Sequence, residues 1–212
     1  MSLVDVIGWS ATLVGALLGL PQLLRLLRTR NVEGLSLFAW RCILCLNIIW
    51  LVHGIRIGAP PQIVTNLVAL GITLPLVVLL ARSQNRPLLR LVAPSLAAAA
   101  VIIVIDYSLR SLAFGVAAMV PGVFSNGGQS VELVRSPLVD GVAPLFLVLA
   151  CVNQCLWLTW ALLVHDPGTI VAASLTLAMT TFNLAWFGLR RLGLRPLFAR
   201  PVMVEEPVPA GV

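Results

Sequence analysis

The chain has 212 residues, of which 59% are hydrophobic and only 10% charged, and its mean hydropathy is +1.02. A soluble domain averages roughly 45–50% apolar and 25% charged residues, so this composition excludes one and defines an integral membrane protein. The formal charge of +6 rests on arginine alone, with no lysine, and nearly all the arginines sit at the ends of apolar runs. No basic face is formed, and nucleic acid is not an expected partner.

A helix crossing about 30 Å of hydrocarbon needs about 20 residues. Apolar segments of that kind run at 4–26, 37–57, 61–82, 88–105, 111–131, 143–164 and 168–189, which predicts seven spans. The first has Asp5 and no basic residue at its start, and arginines rather than a small-residue cleavage site at its end. It is therefore expected to stay as a span and not to be removed as a signal peptide. It also carries Pro21 inside the stretch GLPQLLRLLRTRNVEGLS. In span two, Arg41 lies about one turn from the start, where a long side chain can snorkel to the interface; a gate contact is the alternative reading.

Span five, SLAFGVAAMVPGVFSNGGQSVELV, holds Pro121, Ser125, Asn126, Gly127, Gly128 and Gln129. Such backbone belongs in the protein interior or beside a water-filled cavity. Cys42, Cys45, Cys151 and Cys155 fall inside apolar segments with no second pair or histidine at ligand spacing, so they read as buried small hydrophobes and no metal or other cofactor is expected. The tail RPLFARPVMVEEPVPAGV is Pro-rich and expected to be disordered.

Arg25, Arg28 and Arg30 close span one, Arg82, Arg86 and Arg90 flank the junction of spans three and four, Arg135 follows span five, and Arg190, Arg191, Arg195 and Arg200 follow span seven. An N-terminus outside and a C-terminus in the cytoplasm puts all of these inside, as the positive-inside rule asks of a multi-pass protein of the cell membrane. Arg56 and Arg110, with His53, Asp106, His165 and Asp166, remain at the outer ends.

Sliding the sequence by 107 positions without a gap pairs Gly8 with Gly115, Gly15 with Gly122, Gln22 with Gln129, Arg28 with Arg135 and Gly34 with Gly141. Trp50 then meets Trp157, Pro60 meets Pro167 and Thr73 meets Thr180. Three spans end on the side opposite to where they began, so a fourth must intervene before the second repeat can start in the first one's orientation. The predicted fold is an all-α membrane protein of two parallel three-helix bundles joined by a linker helix. Residues 1–84 form the first repeat, 85–107 the linker, 108–192 the second repeat and 193–212 a cytoplasmic tail.

A three-helix repeat with Pro21-Gln22 late in its first helix, the basic loop RTRNVEGLS with its Gly-x-Ser exit, and duplication in parallel through an extra helix resembles the PQ-loop transporters, and specifically the SWEET sugar facilitators. The resemblance covers about residues 4–192. It implies facilitated diffusion of a small sugar, a mono- or disaccharide, by alternating access in a lipid bilayer, and a homo-oligomer is compatible with it. In that family a Trp on the second helix and an Asn sixteen positions later form the sugar site, and Trp50 and Asn66 have that spacing. Counting about 1.5 Å per residue from the outer loop puts both at similar depth. An indole face suits the C–H side of a pyranose, and an amide supplies donors and an acceptor to its hydroxyls. In the second repeat Trp157 is retained, whereas Ala173 stands where the second amide is expected, with Ser174 next to it.

The resemblance also implies proline hinges. Pro21 removes a helical hydrogen bond in span one, and Pro144 falls near a matching place. Gly128 stands opposite Pro21 in the repeat and Gln129 opposite Gln22, so these five residues are the expected hinge and gate positions. No carboxylate lies deep in a span, since Asp5, Glu33, Asp106, Glu132, Asp140 and Asp166 are near ends, which favours uncoupled transport. Phosphate loops, His-rich metal constellations and nucleophile elbows are absent from the sequence, so an enzyme is not expected. Two other readings stay open: a non-transporting receptor or scaffold on the same bundle, and an exporter of an amino acid or other small metabolite.

Overall fold

The computed structural model describes residues 2–29, 36–136, 139 and 142–197, with the side chain of Gln22 outside that set. Arg30, Glu33, Gly34, Asp140, Gly141, Arg200 and the 198–212 part of the tail, on which several expectations fall, lie outside the described residues. Seven helices account for nearly all of the rest: α1 (Leu3–Thr29), α2 (Leu37–Arg56), α3 (Pro60–Ser83), α4 (Leu88–Ser108), α5 (Ser111–Arg135), α6 (Pro144–Val164) and α7 (Pro167–Arg191). Six are long and apolar enough to cross a membrane. The seventh, α5, has the length for a crossing and carries the polar run predicted to weaken it. The chain is a multi-pass, all-α membrane protein.

Local chemistry sets the helix ends. Ser36 caps α2 by accepting a hydrogen bond from the Ala39 amide, and Asp166 caps α7 by accepting from the Thr169 amide. Prolines open α3, α6 and α7 at first-turn positions where the missing N–H has no helical partner to lose. His165 ends α6 in the left-handed region at φ 57°, turning the chain into Asp166. At the far end of α5, the buried Arg190 guanidinium donates to the Leu133 carbonyl at 2.9 Å and the Ser136 carbonyl at 2.8 Å, neutralising carbonyls that the helix leaves unpaired.

The helices form a closed ring in the order α1, α3, α2, α5, α7, α6 and back to α1, while α4 packs outside it against α2, α5 and α3. At two places, positions 107 apart make corresponding contacts. A Cβ on Gly8 would come within 2.8 Å of Pro61 Cγ, where α1 crosses α3, and one on Gly115 within 2.7 Å of Gly168 Cα, where α5 crosses α7. Leu26 anchors one apolar cluster with Trp40, and Leu133 anchors another with Leu147. The largest core lies between α2, α4 and α5, where Cys45, Ile49, Ala99, Ile102, Phe114 and Ala118 are buried.

In α5 the polar side chains satisfy the helix's own backbone or its neighbour. Ser125 and Asn126 donate to the Gly122 carbonyl, and Ser130 donates to Asn183 Oδ1 on α7 at 2.7 Å. The expectation for the cysteines needs one correction: Cys45 is buried, but Cys155 is exposed. One turn along α6 from Cys151, it points out of the packed interior.

Candidate functional site

Inside the ring lies a cavity of about 240 Å³ bounded by α2, α3, α5, α6 and α7. Trp50 and Asn66 come together on its wall from the first half of the chain, with Trp157 and Ala173 from the second. Ser174 does not join them; it is exposed on α7, one position round the helix from Ala173. None of the lining residues is charged.

Its polar lining is richer than the spacing of Trp50 and Asn66 announced. Gln62, one turn before Asn66 on α3, lines the cavity with Thr65, and Asn126, Gln154, Thr169 and Thr176 line it from the other half. Gln62 donates through Nε2 to the Trp50 carbonyl at 3.3 Å, while its buried Oε1 has no hydrogen-bond partner. A buried acceptor left unpaired costs about 1–3 kcal/mol, so this oxygen is ready to accept a hydrogen bond from the hydroxyl of a ligand or from water. Asn66 donates through Nδ2 to the Gln62 carbonyl at 2.8 Å, which fixes its amide plane, and among the described residues its Oδ1 has no hydrogen bond. Asn126 and Gln154 provide the side-chain amides that position 173 lacks. Of the other polar residues of the spans, Asn47 binds Thr73 Oγ1 at 2.9 Å and Asn183 binds Ser130, so both tie helices together. Asn153 is buried against Gly15.

Toward the arginine-rich end a second cavity of about 950 Å³ opens below the first and shares Thr65 with it. Pro21 and Gln129, two of the expected hinge and gate residues, line it together with Trp40, Asn47, Thr73 and Phe146. Gly128 stands in open space, with nothing near its Cα on the side a Cβ would fill. Pro144 is a correction: it occupies the first turn of α6, where it starts a helix and kinks nothing. Prolines lie inside α3 at Pro75, inside α4 at Pro94 and inside α5 at Pro121, in addition to Pro21 in α1.

At the opposite end lies a buried polar cluster of residues that the sequence set at the outer ends of the spans. His53, fully buried near the end of α2, has Nδ1 2.9 Å from Asp106 Oδ2 on α4 and Nε2 3.0 Å from Asp166 Oδ2 at the start of α7. Arg56, one turn on, reaches Asp106 at 2.8 Å. Ser111 and Thr169 both donate to Asp166 through their hydroxyls. Burial alone would raise the Asp166 carboxyl, but hydrogen bonds from His53, Ser111 and Thr169 outweigh it and hold the group well below the usual carboxylate range. The stability this contributes is present above the unfolded value of about 3.9 and is lost only as pH falls through the lower folded value.

The imidazole plane is stacked on Phe114, with centroids 4.2 Å apart, and the Trp50 indole meets it edge-on at 5.6 Å. Trp50 and Thr169 therefore belong both to the cavity and to its closure. Asp106 and Asp166 do lie near helix ends, as the sequence requires; the packing of α4 and the start of α7 around the end of α2 buries them all the same.

A closed ring of membrane helices surrounds an uncharged polar cavity, with a buried ionic cluster toward one end and a second cavity toward the other. The sequence profile of the PQ loop repeat family matches residues 3–63, which span α1, α2 and the first turn of α3. Searches of curated proteins and of solved structures returned no match.

Proposed function

We propose that the chain is a PQ-loop carrier of the SWEET type that moves a small neutral sugar across the cell membrane by alternating access, without a driving ion. The observation that carries this reading is the cavity lining: two indoles, one from each half, with several amides and hydroxyls and no charge. Stacking surfaces and neutral hydrogen-bonding groups suit a polyol. An amino acid would bring an ammonium and a carboxylate into a site with nothing to pair them, which is costly.

Size narrows the substrate. About 240 Å³ lies below the roughly 300 Å³ at which sites for drug-sized ligands begin, which favours a monosaccharide over a disaccharide. The positive-inside rule supports an N-terminus outside, so the His53 end faces out and the larger cavity faces the cytoplasm.

Uptake of a panel of labelled sugars into proteoliposomes tests the reading. Monosaccharides are expected to enter, disaccharides to enter poorly, and Asn66→Ala to lower monosaccharide uptake about tenfold, the effect of losing one well-placed hydrogen bond of about 1.4 kcal/mol. Unchanged uptake in that variant would remove Asn66 from the site.

A further inference from the structure

The cluster at the closed end has a charge balance that depends on one proton. Asp106 and Asp166 carry two negative charges and Arg56 one positive, so the buried group is neutral only when His53 is an imidazolium. Geometry asks for the same form. Both ring nitrogens face carboxylate oxygens at 2.9–3.0 Å, and a neutral imidazole, with one N–H, would turn a lone pair toward one of them.

Opening this end changes the balance. Asp166 belongs to the second half of the chain, and His53 and Arg56 to the first, with Asp106 on α4 beside α2. Once the halves part, Asp166 leaves for water and the remaining Arg56–Asp106 pair is neutral without a proton on His53. The second carboxylate that called for an imidazolium is then gone.

We propose that His53 is a proton-binding site that gates the carrier, holding a proton between Asp106 and Asp166 while this end is closed and releasing it when the end opens. This rests on the alternating-access reading of the chain. Uptake and release occur on the same side, so the proton regulates the cycle without being cargo. Acid holds the end closed, and alkali frees it. Asp166 stays a carboxylate through the neutral range, and from α5 only the Ser111 hydroxyl and the Phe114 ring face the cluster. Asp5 and His165 stand across a small surface cavity from Asp166 and do not touch the imidazole, while Tyr107 and Arg110 are exposed.

The test places spin labels at Ile55 and Leu163, exposed positions on α2 and α6, in the full chain with its four cysteines replaced by alanine. At pH 5.5 a single short distance is expected; at pH 8 a second, longer population should grow. Sugar uptake, with equal pH on both sides of the liposome, should rise about threefold or more over the same range. His53→Gln should make both readouts independent of pH. Asp166→Asn should do the same, and asparagine is as good a helix cap, so this variant stays informative if the first folds poorly. A wild-type distance distribution that ignores pH, or an Asp166→Asn variant that keeps the full wild-type response, would overturn the proton site. If the distances respond but no sugar enters, the sugar reading fails alone; sugar entry at a rate indifferent to pH sinks the proton site alone.

Discussion

His53→Ala is expected to destabilise the protein by about 3–5 kcal/mol, seen as a lower midpoint of thermal unfolding in detergent. The substitution removes the one group among the described residues that touches both Asp106 and Asp166, and these are 1% and 7% exposed. Arg56 can compensate one carboxylate and not both. It also leaves a void beneath the Phe114 ring, which packs flat on the imidazole. Adding Asp166→Asn to the same variant should recover part of the loss, because one uncompensated charge is gone. A His53→Ala protein as stable as the wild type would mean that the two carboxylates are not held in the packed interior as described.

Gly115→Val is expected to be the most damaging single substitution in the second half, abolishing the folded state or costing several times the roughly 1–3 kcal/mol usual for overpacking. A Cβ at this position overlaps backbone atoms of Gly168, and backbone cannot rotate away as the end of a side chain can. Gly168 is itself pinned, since its own Cβ would meet the Ser111 carbonyl at 2.6 Å. The α5–α7 crossing positions both Ser111 and Asp166, so loosening it undoes the closed end as well. Gly71→Ala provides the control: nothing lies within 4 Å of its Cβ position, and a helix-interior alanine is better than glycine by roughly 0.5–1 kcal/mol. Unfolding midpoints of the two variants should therefore move in opposite directions.

The architecture was legible because membrane helices announce themselves by length and apolarity, and the predicted spans fall on the seven helices within a few residues. Paired Gly8 and Gly115 were legible as a repeat before their shared role was known: both mark places where a helix passes too close for a side chain. Trp50, Asn66, Trp157 and Ala173, singled out by the family resemblance and the repeat, line the cavity, whereas Ser174, added by adjacency, is exposed. Gln62 was missed although it lies four residues before Asn66, which puts it on the same helical face.

The His53 cluster was hidden for a different reason. Its acids are at helix ends, where sequence alone suggests water, and burial there depends on how three ends converge. Position 53 pairs with Trp160 across the repeat and position 166 with Ala59, so the symmetry that revealed the fold conceals a device built from one copy of each. Proline showed the opposite failure. Pro144 reads as a hinge from the resemblance, although the predicted span 143–164 already sets it in the first turn, where α6 begins.

The central claim, that this ring alternates its access to a monosaccharide site, is tested most directly by counterflow. Proteoliposomes preloaded with unlabelled monosaccharide and diluted into a trace of the labelled sugar should accumulate label transiently above its outside concentration and then lose it. Only a carrier whose site faces one side at a time produces that overshoot. Label that merely equilibrates would contradict alternating access, and label that never enters would contradict transport of the sugar.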